Sequence, residues 1–243
     1  KQKKIKIKNK IYAYDINSSL INVFNHIKNN KDELYNYIKY YLEKYDSIKG
    51  TIINRKPSED DSESSKESYY YWIRNKYNNS EDNIEKSALF IFINKTCFRG
   101  MYREGPNGYN VPFGHYKTTP SINKSQIDDI SNLIKDVNFI NCDFTKSLNK
   151  VKKNDFVYLD PPYAPENSKS FVKYVAGGFN LEKHKELFKT VKKLEKIKFV
   201  MSNSNVELVT DNFKEYKYET ITARRAINSK NPGSTCKEVI ISN

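Results

Sequence analysis

The sequence predicts an α/β protein whose sheet is interrupted by an inserted helical and hairpin segment, and three observations carry that expectation. After Pro120, short apolar runs alternate with helical periodicity, the order in which strands and helices build an α/β sheet. Across residues 31–95 the apolar side chains recur at helical spacing. Between these stretches, residues 95–116 are punctuated by Gly100, Gly105, Pro106, Gly108, Pro112 and Gly114, which predicts a β-hairpin with a glycine-rich turn.

Taken in order, residues 11–15 (IYAYD) predict a short buried strand ending in an acid. Residues 16–28 place Leu20, Ile21, Phe24 and Ile27 on one helix face, with Asn17 or Ser18 as N-cap. A second helix is predicted over 32–48 from Leu34, Tyr37, Ile38, Tyr41, Leu42 and Tyr45, with Asp32 as its cap. Residues 57–68 (PSEDDSESSKES) carry no apolar side chain and predict a solvated loop. Helices are expected over 69–78 and 84–94, then the hairpin. The C-terminal half predicts a helix over 127–134, strands over 137–141 and 156–159, a helix over 181–194, and strands over 198–202, 216–221 and 237–241. No internal repeat is present.

Composition bounds the function. The 42 Lys and Arg against 29 Asp and Glu give a formal charge of +13, a field that attracts polyanions and favours contact with nucleic-acid phosphates. Only six of the basic residues are Arg, and an AT-rich coding sequence supplies such a lysine bias without function. The 19 Tyr and 13 Phe are enough to fill a core. No apolar run is long enough to span a bilayer, and the lysine-rich start does not read as a secretion signal. Cys97, Cys142 and Cys236 form no closely spaced pair, and His26, His115 and His184 have no metal-ligand spacing. The expectation is a chain without a structural metal in a reducing compartment, cytoplasmic and nucleoid-associated or viral, and not secreted.

The most informative residues are Asp160, Pro161, Pro162 and Tyr163, directly after the apolar run Phe156, Val157, Tyr158 and Leu159. In open α/β sheets ligands bind at the carboxyl ends of strands. Two prolines fix φ and remove two backbone donors, so their carbonyls only accept, while Asp160 adds a carboxylate acceptor and Tyr163 a flat face. That combination suits an amino group on a planar ring, such as the exocyclic amine of a flipped base. The same four residues also serve as a strand-ending proline turn capped by Asp. In the hairpin, strand alternation would put Arg99, Met101 and Arg103 on one face, and Arg pairs bidentately with guanine O6 and N7. Packing against the helical block is the competing role for Phe98, Tyr102, Tyr109 and Phe113, expected of about half of them.

On these residues the chain resembles the Dam-type, class α adenine-N6 DNA methyltransferases, whose motif after this strand is D-P-P-Y. The resemblance extends to Tyr14-Asp15-Ile16-Asn17-Ser18, the segment NKTCFRGMYREGPNGYNVPFGHY from Asn94 to Tyr116, Asn141-Cys142-Asp143-Phe144, and Arg224-Arg225-Ala226-Ile227-Asn228-Ser229. These blocks, in this order, span nearly the whole chain.

The resemblance implies a Rossmann-like S-adenosylmethionine-dependent methyltransferase sheet, with residues 1–30 and 121–243 as catalytic core and 31–120 as target-recognition subdomain. It implies duplex DNA as partner, methylation of a flipped adenine at N6, and a short target, GATC or otherwise CATG or another sequence. It leaves open whether the methylation protects DNA beside a cognate restriction endonuclease as genetic partner, marks it for repair or regulation, or serves a virus. Asp15 and Ile16 correspond to cofactor ribose and adenine contacts, Asp143 and Phe144 lie by the cofactor adenine, and Asp160 serves both cofactor and base. Pro161, Pro162 and Tyr163 complete the catalytic motif. Arg103 matches a guanine contact, and Phe98 and Arg99 a wedge beside the extruded adenine. Met101, Pro112, Tyr116, Lys117, Arg224 and Arg225 complete the expected DNA surface.

One motif departs from the pattern. The family's F-x-G-x-G cofactor loop precedes the Asp15 position, yet only fourteen residues precede Asp15 here and none of them forms it. The 243 residues alone are therefore expected to bind S-adenosylmethionine weakly, as a fragment or partly represented product. A non-catalytic DNA-binding relic is the alternative class.

Overall fold

The computed structural model describes residues 7–165, 178–224 and 233–243. The chain divides into two compact units, Lys1–Asp143 and Phe144–Asn243.

The first unit pairs two parallel strands with a helical block. Strand β1 (Ile11–Asp15) lies beside β4 (Val137–Asn141), with Ile11 opposite Val137 and Asp15 opposite Asn141. Helices α1 (Ser18–Asn29), α2 (Lys31–Ser47), α3 (Lys66–Asn79), α4 (Ile84–Thr96) and α5 (Lys124–Ile134) pack around one core. The starts of α1, α3, α4 and α5 are set by polar caps that satisfy orphan amides. Asn17 accepts from the Leu20 amide, Ser65 from Ser68 and Asn83 from Lys86, while Asn123 and Gln126 form a reciprocal capping box. The cap of α2 is Asn30 rather than Asp32. Asp32 instead sits in the first turn, where the helix dipole favours an acid, and pairs with Lys124 at 2.8 Å.

Helix α4 supplies the middle of this core. Ala88, Leu89, Phe90, Phe92 and Ile93 are buried there, and Phe92 stands edge-on to Tyr45 at 5.5 Å and to Tyr69 at 5.8 Å. Several of the core tyrosines hold partners for their hydroxyls, as polar groups taken from water require, whereas the buried Tyr69 hydroxyl has none among the described residues. Tyr70 donates to the Val111 carbonyl and Tyr77 to Ser19, while Lys76 and Glu85 flank the Tyr41 hydroxyl.

The stretch expected to be a solvated loop is partly built into the unit. Ser62–Ser64 form a 3-10 turn, Thr51 bridges to Ser65, and Ser62, Ser65 and Ser68 are buried. Serine hydroxyls explain it: Ser65 and Ser68 bond at 2.8 Å, the Asn54 amide donates to Ser68, and Ser68 reaches the Ile52 carbonyl. A run with no apolar side chain is ordered here by hydrogen bonding rather than burial of hydrocarbon.

The second unit carries a four-stranded sheet in the order β5 (Phe156–Leu159), β6 (Lys198–Ser204), β8 (Thr235–Ser242), β7 (Lys217–Arg224). Strands β5 and β6 are parallel, and the rest are antiparallel. Short helices α6 (Phe144–Leu148) and α8 (Glu207–Thr210), which periodicity is too brief to reveal, accompany α7 (Leu181–Lys192). Phe188, Val191, Phe199, Met201, Val209, Phe213 and Ile241 form the core. Strand β1 is less buried than its sequence predicts; β1 and β5 each end a sheet, and Tyr12, Phe156 and Tyr158 are half or more exposed.

His184 of α7 is 1% exposed and meets Phe179 at 4.7 Å and Phe188 at 5.9 Å. Burial lowers its pKa from 6.5 to about 4. Between those values the unfolded chain binds more protons than the folded one, so stability falls as pH falls. Urea unfolding at pH about 7 and about 4 is expected to show a smaller acid-induced loss for His184→Leu than for the wild type.

Candidate active site and nucleic-acid interface

In the first unit, chemistry gathers where β1 and β4 end. Asp15 Oδ1 accepts from the Asn17 amide at 2.7 Å, so Asn17 rather than Asp15 caps α1. The Asp15 carbonyl accepts from the Cys142 amide at 3.0 Å, and the Asn141 side chain bridges the carbonyls of Asp15 and Ile16 at 3.1 and 2.8 Å. These bonds hold the two strand ends, and thus Asp15 and the chain entering Asp143, side by side. Ile16 is 53% exposed, and Asp15 and Asp143 are half-buried. One accepted hydrogen bond among the described residues leaves acceptor capacity on the Asp15 carboxylate for a ligand's hydroxyls.

In the second unit, the D-P-P-Y turn leaves the carboxyl end of β5. Leu159 pairs with Met201 of β6, which sets Asp160 beside Ser202. Ser202 Oγ donates to Asp160 Oδ1 at 2.7 Å, and Asn203 Oδ1 accepts from the Ala164 amide at 2.9 Å. The Tyr163 hydroxyl donates to Glu238 Oε2 at 3.4 Å, and burial pushes the phenol pKa up. Asp160 is exposed, Pro161, Pro162 and Tyr163 are half-buried, and Ala164 is buried. Phe144, placed by α6, packs against the second core and meets Phe179 at 5.9 Å. Ser202, Asn203 and Glu238 are absent from the expected site. For Ser202 and Asn203 the signal was two polar residues directly following the apolar run Phe199, Val200 and Met201, unremarkable without the register.

The hairpin is real but differs in detail. Its base is closed by the Cys97–Phe113 bridge and by the bonds from Phe98 N to the Pro112 carbonyl and from Gly114 N to the Thr96 carbonyl, both 2.8 Å. Its tip pairs only β2 (Glu104–Gly105) with β3 (Gly108–Tyr109). Residues 98–100 form a 3-10 turn with Arg99 at φ 57° and Gly100 at φ 62°, so the expected strand alternation of Arg99, Met101 and Arg103 is not formed. The Asn94 side chain bonds the Gly100 carbonyl at 3.0 Å and the Met101 amide bonds the Phe98 carbonyl at 3.2 Å, favouring the turn. Met101 packs against the core, whereas Phe98, Arg99, Arg103, Pro112, Tyr116 and Lys117 are exposed. Of the four aromatics, Tyr109 and Phe113 are buried, Tyr102 is half-buried and Phe98 exposed.

A polar row on α3 fixes this loop. Tyr70, Arg74 and Asn78, spaced by four, reach the Val111 carbonyl at 2.7 and 2.9 Å and both the Tyr109 amide and carbonyl at 2.9 and 3.0 Å. Gly108 lies at φ 84°, and a Cβ there would meet Asn78 Oδ1 at 2.6 Å, so glycine is required both by conformation and by this contact. Arg103 Nε and Nη2 donate to the Asn110 side chain and carbonyl at 2.6 and 3.2 Å. The other guanidinium N–H groups remain for an external acceptor. Arg224 is exposed at the end of β7, and Arg225 lies outside the described residues.

Comparison with known proteins gives the family. The model of the D12 class N6 adenine-specific DNA methyltransferases matches residues 2–227. The chain is similar to the type II methyltransferase M.MjaIII of Methanocaldococcus jannaschii, with 33% identity over 229 residues, 91% of this chain and 75% of that protein. It is also similar to a DNA adenine methylase of Haemophilus influenzae, with 29% identity over 228 residues, 92% of this chain and 73% of that protein. A third relative, the type II methyltransferase M1.LlaDCHI of Lactococcus lactis subsp. cremoris, is 29% identical over 240 residues, 94% of this chain and 78% of its own length. Matched over nearly its full length and carrying a D-P-P-Y turn at a strand's carboxyl end, the chain belongs to the D12 class N6 adenine-specific DNA methyltransferase family.

Proposed function

We propose that the protein methylates the N6 amine of an adenine flipped out of a short duplex target, with S-adenosylmethionine as methyl donor. The observation that carries this reading is the Asp160 carboxylate, exposed at the end of β5 and followed by two prolines and an aromatic ring. Asp160 accepts one N6 hydrogen and the Pro161 carbonyl the other, which raises electron density on the nitrogen, while Pro162 stiffens the turn and Tyr163 stacks on the base. Once the amine is held there, transfer depends mainly on alignment.

The half-buried Asp15 fits the ribose of S-adenosylmethionine, since a carboxylate with spare lone pairs suits two vicinal hydroxyls. Ile16, Asp143 and Phe144 would hold its adenine, and Asp160 its amino group. When bound, S-adenosylmethionine supplies an electrophilic methyl group. Residues 1–30 and 121–243 then act as a Rossmann-like catalytic core, and residues 31–120 as the target-recognition subdomain.

On the DNA side, Arg103 reads guanine, Phe98 and Arg99 wedge beside the extruded adenine, and Pro112, Tyr116, Lys117, Arg224 and Arg225 face the duplex. A GATC target is preferred over CATG. The protein works on nucleoid or viral DNA, with a cognate restriction endonuclease, repair or regulation as the settings such a mark serves. Arg103→Ala is expected to reduce discrimination against a substituted guanine by roughly tenfold to a hundredfold, read as methylation rates on target and single-substitution duplexes.

The direct test incubates the complete gene product with unmodified DNA and S-adenosylmethionine and maps N6-methyladenine by position. Methylation confined to one short motif is the expected result. DNA binding without methylation would replace this reading with a non-catalytic DNA-binding protein.

A further inference from the structure

The Asp160–Ala164 turn has little backbone with which to anchor itself. Pro161 and Pro162 carry no N–H, so the hydrogen-bond ladder of β5 stops at the residues that must be placed most accurately. The anchors come instead from two adjacent side chains at the end of β6. Ser202, 4% exposed, donates to Asp160 Oδ1 at 2.7 Å, and Asn203, fully buried, accepts from the Ala164 amide at 2.9 Å. The two ends of the turn are thereby tied to one rigid strand.

Neither contact is explained by stability alone. Asp160 is exposed, so water can replace the Ser202 hydroxyl at little net loss, and what Ser202 adds is direction. Among the described residues the buried Asn203 Nδ2 has no hydrogen-bond partner, an arrangement that opposes folding and marks a residue held for another reason. Asn203 Oδ1 also accepts from the Ser204 amide at 2.9 Å, which fixes the side-chain rotamer facing Ala164.

We propose that Ser202 and Asn203 are positioning residues for methyl transfer. Ser202 engages one Asp160 oxygen and thereby turns the other toward the amine, and Asn203 sets the height of the Tyr163 ring through the Ala164 amide. This rests on the proposed adenine-N6 transfer.

The test uses the complete gene product and the variants Ser202→Ala, Ser202→Thr and Asn203→Ala, with steady-state kinetics on target duplex and thermal unfolding of each. Ser202→Ala is expected to lower kcat by about tenfold to a hundredfold, with KM for DNA within about threefold. Its melting temperature should stay near that of the wild type, and Ser202→Thr, which keeps the hydroxyl, should restore most of kcat. Hydrogen exchange at the Ala164 amide should be slow in the wild type, and fast in Asn203→Ala if that variant folds. An active wild type with Ser202→Ala within about twofold of it in kcat, or rapid Ala164 exchange in the wild type, would overturn the positioning role alone. A wild type that transfers no methyl group to adenine would overturn the underlying reading and this proposal together.

Discussion

Asp160→Ala is expected to reduce methyl transfer by about a thousandfold or more, a loss like that seen when a preorganised polar group is removed from a reacting centre. The variant removes the carboxylate that accepts from the amine and leaves the Ser202 hydroxyl without its 2.7 Å partner. It removes no residue from either hydrophobic core and no strand pairing, because Asp160 is exposed and lies just beyond the last residue of β5. DNA affinity should therefore survive, and the loss of a negative charge favours phosphate contact slightly. Single-turnover transfer of a labelled methyl group, run beside a DNA-binding titration, separates the two quantities. Retention of more than about a tenth of the wild-type rate would remove Asp160 from the chemistry. Asp160→Asn, which keeps one acceptor oxygen and loses the charge, should fall between the two.

Phe92→Ala carries the second large effect, on stability. The side chain is fully buried and touches rings from two other helices, Tyr45 of α2 and Tyr69 of α3. Truncation loses the transfer free energy of the ring and opens a cavity that three packed helices cannot readily collapse, a loss of about 3–5 kcal/mol. Measured against the roughly 5–15 kcal/mol typical of a domain, that leaves the first unit marginal. Urea unfolding monitored by the chain's one Trp, which lies in α3 against the same core, reports it directly. A change below about 1 kcal/mol would mean that the core repacks around the gap.

The regular elements were legible because their burial follows a period. Leu34, Ile38, Tyr41, Leu42 and Tyr45 mark α2 at helical spacing, and all five are buried. Residues 57–68 were misread because nothing in Ser and acid spacing says that Ser65 and Ser68 will satisfy one another and the backbone around Ile52 and Asn54. The turn at Arg99 was hidden for a related reason. Alternating residues imply a strand only if no local bond competes, and here the Asn94 side chain and the Gly100 conformation do.

At the site, the D-P-P-Y turn was visible because two prolines after an apolar run are uncommon. Its anchors, Ser202 and Asn203, lie some forty residues away in sequence and become neighbours only through the parallel pairing of β5 with β6. Likewise, Arg74 reads in sequence as one more basic residue, yet its guanidinium lies over Tyr71 at 4.7 Å and holds the Val111 carbonyl.

The row on α3 also bears on how such a loop changes over generations. The hydrogen bonds from Tyr70, Arg74 and Asn78 described above go to main-chain atoms, the Val111 carbonyl and the amide and carbonyl of Tyr109. A grip on main chain is indifferent to most substitutions in the loop it holds. Among the outward side chains, Arg103 is tied to Asn110 and Arg99 sits at φ 57°, while those at 98, 112 and 116 are the interchangeable parts on a fixed mount. Descendants of this sequence can try new amino acids at those three positions one at a time while the mount, and the helical core behind it, stays as it is.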